Sequence, residues 1–266
     1  MDLVRLTSLD LAIAAGLVLL LAVLSWRLRL GQGRRLLIAA ARSTVQLLLL
    51  GLVLKALFAQ VSFLWILGLA LIMLSVAGYE VMARQKRRFR GWHGYGIGAI
   101  SMFLSSFSIT VLTLTVIIQV EPWYLPQYAI PLLGMLLGNT MTGVAVSLDN
   151  LTRHAWERRD AVEARLMLGH DWNTAIADIR HEALRSGLIP IINAMATAGI
   201  VSLPGMMTGQ ILAGSPPLEA AKYQLLILFL IAAGTGLGSM AAVWLGARRL
   251  FDERQRLRLE RLVREG

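Results

Sequence analysis

The sequence predicts an all-α, polytopic integral membrane protein. Three observations carry that expectation. Hydrophobic residues make up 56% of the 266 positions, above the roughly 45–50% of soluble domains. They gather in runs of about 20, the length a helix needs to cross a bilayer. And 22 of the 26 lysines and arginines fall in alternate gaps between those runs, as they do when one membrane face retains the basic loops.

Seven runs fit a spanning helix: Ser8–Trp26, Leu36–Phe58, Phe63–Met82, Tyr95–Val120, Pro126–Asp149, Leu188–Met207 and Tyr223–Leu245. The first is followed by Trp26-Arg27-Leu28-Arg29 rather than a small-residue cleavage site, which predicts a retained helix. The first basic gap holds Arg27, Arg29, Arg34 and Arg35, and the second Arg84, Lys86, Arg87, Arg88 and Arg90. Six arginines lie between Arg153 and Arg185, and seven between Arg248 and Arg264. The opposite side keeps Arg5, Lys55 and Lys222, while Arg42 lies inside the second helix. This bias sets the N-terminus outside and the C-terminus in the cytoplasm. Trp26, Trp65, Trp92, Trp123 and Trp244 fall at predicted helix ends, as an interfacial belt does.

The connections add detail. Glu121-Pro122-Trp123-Tyr124-Leu125-Pro126 is a tight turn, because neither proline continues a helix. Residues 202–210, rich in Pro, Gly and Met, are either the kinked end of helix 6 or a partly re-entrant segment. The tail Arg249–Gly266 mixes arginines with Leu250, Phe251, Leu257, Leu259, Leu262 and Val263, and reads as a cytoplasmic continuation of helix 7. The pairs Gly94/Gly98, Gly134/Gly138, Gly205/Gly209 and Gly234/Gly238 have the small-xxx-small spacing of close helix contacts, within one chain or between subunits. No repeat or linker divides the chain, so residues 1–266 read as one transmembrane domain.

Composition also excludes classes. The net charge of +10 does not point to nucleic acid, since the basic residues sit where a membrane protein keeps its anchors. With no cysteine there is no disulfide, thiolate ligand or thiol nucleophile. No glycine-rich loop ends in Gly-Lys-Ser or Gly-Lys-Thr, so the chain has no P-loop for ATP. His93, His154, His170 and His181 lie in separate loops, without a second ligand at metal spacing or a nucleophile–base set. The chain is therefore expected to be no enzyme and to need no cofactor, and the residues assign no metal ligand set.

Polar side chains inside the spans mark a candidate substrate path: Arg42, Gln46, Glu80, Asn139, Asp149 and Asn193, with Met206, Met207 and Gln210 at the far end of helix 6. Arg42 and Glu80 lie at similar depth on neighbouring helices, fitting either a structural ion pair or a gate. Asn139 needs a partner across helices or water, and Asn193 is one candidate. The methionines fit plastic packing or a soft-metal route.

The stretch that organises the chain is the polar loop at about 151–185. A helix over Val162–Leu168, stopped by Gly169, and a second over Trp172–Leu184 are predicted there. A short amphipathic helix on this face lies in the interface or docks in a partner's groove. Glu163, Ala164, Gly169 and Ile179 match the coupling-loop motif of ABC importer permeases, while Arg165 and His181-Glu182 depart from it. Ile130–Met141, Glu163–Leu166, Gly187–Asn193 and Val201–Gly214 together resemble the FetB family, permeases of iron-export ABC transporters related to plant aluminium-tolerance permeases. The resemblance implies a multi-pass protein of the bacterial inner (plasma) membrane, a separate FetA-like ATPase as partner and a permease homodimer. It implies coupling through Glu163, Ala164, Leu166, Gly169 and Ile179, with iron or a related metal or metal-linked solute as cargo. The alternative is an ion-coupled secondary transporter with Arg42, Glu80 and Asp149 as its relay.

Overall fold

The computed structural model describes residues 7–59 and 62–264. Arg5, counted above among the outer charges, lies outside the described residues. Among those described, the elements run α1 (Ser8–Arg27), α2 (Gly33–Ala59), α3 (Phe63–Ala83), β1 (Arg87–Phe89), α4 (Trp92–Met102), α5 (Ser108–Leu112), α6 (Pro126–Glu157), α7 (Arg159–Met167), α8 (Trp172–Ala175), α9 (Ala177–Thr197), α10 (Gly205–Leu212), α11 (Pro217–Arg249) and β2 (Leu262–Arg264). Two π-helical turns, Phe103–Phe107 and Thr113–Ile118, join α4 and α5 into one rod over Trp92–Ile118. The fold is all-α apart from the short ribbon β1–β2. The described elements form two units: α1 and α2 with Leu212–Gly214 in one, and the remainder in the other.

In the first unit, α1 starts where Thr7 and Asp10 exchange hydrogen bonds, Thr7 N–H to the Asp10 carboxylate and Asp10 N–H to Thr7 Oγ1. That reciprocal cap satisfies two of the amides a helix start leaves open. Gly33 opens α2 so close to α1 that a Cβ there would lie 3.0 Å from the Ala22 carbonyl oxygen.

The second unit is built on α6 and α11, with α9 packed on both. Small residues set the approach. A Cβ on Gly238 would fall 2.6 Å from Thr140 Cγ2, and one on Gly246 3.0 Å from Leu151. On α9, a Cβ on Gly187 would strike Ser147 Oγ and lie 2.7 Å from the Gly143 carbonyl oxygen. Backbone approach of this kind replaces the hydrophobic drive that lipid cannot supply between helices. Of the four predicted glycine pairs, Gly234/Gly238 and Gly94/Gly98 serve packing within the chain, while Gly205 and Gly209 face open space. Two apolar clusters complete the unit. One joins Leu148, Leu151, Val162, Ile176, Ile179, Ala247 and Phe251 at the arginine-rich end. The other joins Ile109, Leu136, Ile191, Ile227 and Ile231 nearer the opposite end.

Six described helices are long and apolar enough to cross a membrane. The expected sixth of seven, Leu188–Met207, is not one helix. α9 stops at Thr197, whose carbonyl oxygen accepts N–H groups from Val201 and Ser202, and Gly199 turns the chain at φ +83°. A left-handed residue and the proline at 204 both interrupt the helical ladder, so residues 198–204 form a non-helical turn before α10. Upstream the correction runs the other way. The second loop helix is only a turn, Trp172–Ala175, and residues from Ala177 continue straight into the span as α9. Pro190 therefore sits inside a helix.

The tail is a second correction. It does not prolong the last helix, which ends at Arg249. The Asp252 carboxylate accepts the N–H groups of Arg254 (3.0 Å) and Arg256 (2.9 Å), closing a turn that competes with the helix. The Arg258 N–H returns to the Leu250 carbonyl at 2.7 Å. Residues Leu262–Arg264 then pair antiparallel with β1, Phe89 opposite Leu262. The apolar tail residues thus serve this chain's own loop between α3 and α4.

Candidate functional site

The polar loop folds as a helical bracket standing on the arginine-rich end of the second unit. α6 extends beyond the predicted Asp149 boundary to Glu157, and α7 follows after one residue. Leu168 and the left-handed Gly169 (φ +89°) end α7 where the sequence predicted a stop. Arg165, the departure from the coupling-loop pattern, has a structural task. Its guanidinium donates to the Ala175 carbonyl oxygen at 3.1 Å and pairs with Asp178, which ties α7 to the start of α9. Arg158 and His154 reach Glu182 at 2.9 and 3.4 Å. At the start of α8, Asp171 accepts from the Thr174 N–H at 3.2 Å. Bonding to Thr174 holds the Asp171 carboxyl below the usual aspartate range, against a smaller opposing effect of desolvation.

The five predicted coupling residues divide into two groups. Glu163, Ala164 and Gly169 are exposed, whereas Ile179 is buried and Leu166 packs half-buried on the same apolar cluster. Ile179 and Leu166 therefore anchor the bracket rather than present a surface. The structure adds three residues to these five. Val162 is buried as a further anchor. Met167 and Leu168, at the tip, expose 83% and 79% of their surface. Two adjacent bare apolar side chains at the end of a polar helix were visible in the sequence; their exposure was not. Trp172 joins the bracket to the tail, with its ring 5.9 Å from Phe251, its backbone N–H donating to Gln255 Oε1 at 2.9 Å, and Arg248 over its ring at 5.6 Å.

Within the second unit the predicted path residues are spread over α3, α6, α9 and α10. Arg42 and Gln46 lie on α2 in the first unit, both exposed. Glu80 lies on α3, 3.9 Å from Arg84. Asp149 accepts the Lys86 N–H at 2.7 Å, and Thr152 donates to the Arg87 carbonyl oxygen at 2.8 Å. Those two bonds fasten the loop before β1 to α6. The Asn139 amide donates to the Met135 carbonyl oxygen of its own helix at 2.8 Å, not to Asn193. Both asparagines are exposed, and the Asn193 carbonyl oxygen accepts from Thr197. Met206 packs on the far apolar cluster, and Met207 and Gln210 are half-buried on α10. Among the described residues, no group of three or more His, Asp or Glu is placed to hold a metal ion.

The structure also shows a seam of buried hydroxyls. Ser101, Ser105 and Ser106 on the α4 rod, Thr140 and Ser147 on α6, and Thr235 and Ser239 on α11 are all buried. Their spacing, four residues for Ser101/Ser105 and Thr235/Ser239 and seven for Thr140/Ser147, was the available signal.

A family model described as "Uncharacterised protein family (UPF0014)" matches residues 8–251. The chain belongs to the UPF0014 family. It is 36% identical over 241 residues to a UPF0014 membrane protein of Synechocystis, covering 89% of this chain and 90% of that one. It is 37% identical over 234 residues to the UPF0014 membrane protein STAR2 of rice, covering 88% and 80%. It is 30% identical over 268 residues to the probable iron export permease protein FetB of Escherichia coli, covering 98% of each. No solved structure matches this UPF0014 protein. Membership agrees with the resemblance read from the sequence and with an integral membrane fold.

Proposed function

We propose that this UPF0014 protein is the permease subunit of an ABC transporter, driven by a separate ATPase that docks on the tip of α7. One observation carries the reading: Met167 and Leu168 stand bare at the end of a polar bracket whose base is locked into the core by Val162, Leu166, Ile176 and Ile179. A rigid base with an apolar knob transmits a push. In this reading the arginine-rich end is cytoplasmic, the protein sits in the bacterial inner membrane, and ATP closure of the partner moves α7 and, through Arg165–Asp178, α9. Exposed Asn139 and Asn193 favour a second permease copy or a wet path over bare lipid. The name of the E. coli relative supports iron, or a metal-linked solute, as the exported cargo.

The test is reconstitution with a FetA-like ATPase in liposomes. The wild-type chain should raise ATP turnover, and Met167→Asp with Leu168→Asp should abolish the rise while inserting normally. Burying two such side chains is worth about 1.5–3 kcal/mol each, so the variant should bind the ATPase about 100-fold or more weakly. Undiminished stimulation refutes the docking role. Iron accumulation in inside-out vesicles should require ATP; accumulation that follows the proton gradient without any ATPase establishes the ion-coupled alternative.

A further inference from the structure

A cavity of about 540 Å³ opens beside the β1–β2 ribbon, lined by Tyr79 and Met82 of α3, Arg88, Phe89 and Arg90 of the ribbon strand and its end, and Trp92 and Tyr95 of α4, among others. Its position follows from the chain. α3 ends at Ala83 and α4 begins at Trp92, so the cavity lies where two membrane-spanning helices meet their arginine-rich loop. Trp92 is 84% exposed and packs edge-on against Tyr95 at 5.9 Å, the pose of an interfacial aromatic. Strand alternation sorts the basic residues. Arg87, turned away from Arg88, lies 4.1 Å over the Trp156 ring, while Arg88 and Arg90 line the cavity with the buried Phe89 between them in sequence. The strand is held in place by pairing with β2 and by the Arg90 N–H bond to the Arg261 carbonyl at 2.8 Å.

We propose that this cavity binds the headgroup of an anionic phospholipid. The guanidiniums of Arg88 and Arg90 take the phosphate, and Tyr79, Met82, Trp92 and Tyr95 take the glycerol and the first acyl carbons. A cavity lined by two arginines together with aromatic and apolar side chains fits an amphiphile better than a free anion, which gains nothing from the apolar lining. The volume suits one headgroup. A bound lipid would tie α3, the ribbon and α4 together, and through β2 would brace the tail that holds Trp172.

The measurement is native mass spectrometry of the detergent-purified full chain, with thermal unfolding in parallel. The probes are phosphatidylglycerol, phosphatidylcholine and inorganic phosphate. Phosphatidylglycerol should give a retained adduct and raise the unfolding temperature; phosphatidylcholine and inorganic phosphate should do neither. Arg88→Gln with Arg90→Gln should weaken phosphatidylglycerol binding about 30-fold, from roughly 1 kcal/mol per basic residue, whereas Arg88→Lys with Arg90→Lys should keep most of it. Trp92→Ala should weaken it with the charge intact. Arg29→Gln with Arg254→Gln removes the same charge elsewhere and should leave binding unchanged. Equal loss in that control shows diffuse surface charge and overturns the proposal, as does an unchanged adduct in the Arg88/Arg90 double glutamine variant. Inorganic phosphate reproducing the whole effect overturns the lipid assignment in favour of a soluble phosphate site.

Discussion

Gly187→Ala tests the close approach of α9 to α6, on which motion of the bracket would depend. The new methyl carbon would fall on Ser147 Oγ and 2.7 Å from the Gly143 carbonyl oxygen. The serine can turn to another rotamer at about 0.5–1.5 kcal/mol, but the carbonyl belongs to the α6 backbone. Restoring ordinary contact at 3.4 Å requires the two helices to part by several tenths of an ångström. Overpacking of this kind costs about 1–3 kcal/mol, and replacing a helical glycine by alanine returns about 0.5–1 kcal/mol. The net expectation is a loss of about 1–2 kcal/mol. Reversible unfolding in mixed micelles, followed by circular dichroism, measures it. Gly96→Ala on α4 is the matched control: nothing lies within 4 Å of its added carbon, so it should be neutral or slightly stabilising. Gly187→Ala combined with Ser147→Ala should recover only part of the loss, because the carbonyl remains. A Gly187→Ala protein as stable as the wild type would refute the packing argument.

Three further expectations concern the bracket and the ribbon. Asp149→Ala leaves the Lys86 N–H without its carboxylate acceptor and should cost about 1–3 kcal/mol, with faster hydrogen exchange at residues 86–90 by mass spectrometry. Trp172→Ala removes the contact with Phe251 and should loosen the tail more than the membrane helices, seen as earlier proteolysis within 250–261 and unchanged helical content. The Asp252 carboxyl is held below the usual aspartate range, chiefly by the Arg256 N–H and further by its guanidinium, against desolvation. A lowered folded value stabilises the tail turn fully above the unfolded value of about 3.9 and loses that contribution as pH falls through the folded value. Fluorescence of a variant keeping only Trp172 should therefore change on acidification below about pH 4, and Asp252→Asn should remove that step.

Elements governed by their own few residues were legible before folding. The α7 stop at Gly169 is one, since glycine takes a left-handed helix end without steric cost. The Glu121–Pro126 turn is another, and so are the exposed tryptophans at the span ends. Asp149 shows the limit. A carboxylate near the end of a span reads as a relay or path group, yet it fastens a loop more than sixty residues away in sequence. Arg165 was a mismatch in a motif until Asp178 and the Ala175 carbonyl came within reach. The tail misled for a related reason: its alternating charges and leucines suit a helix, but three hydrogen bonds to the Asp252 turn and Leu250, together with the β1 strand, outweigh that local preference.

The sequence by itself determined the solvent this protein lives in, the places where most of its helices cross it and the charged face on which its loops gather. Those follow from the length of apolar runs and from the cost of burying charge in hydrocarbon, which act residue by residue. Only the tertiary structure decided which small residues let α6, α9 and α11 touch, that the predicted sixth span divides at 198–204, and that the tail returns to pair with β1. Each of these depends on backbone groups far apart in sequence finding a partner, and no local pattern records that meeting.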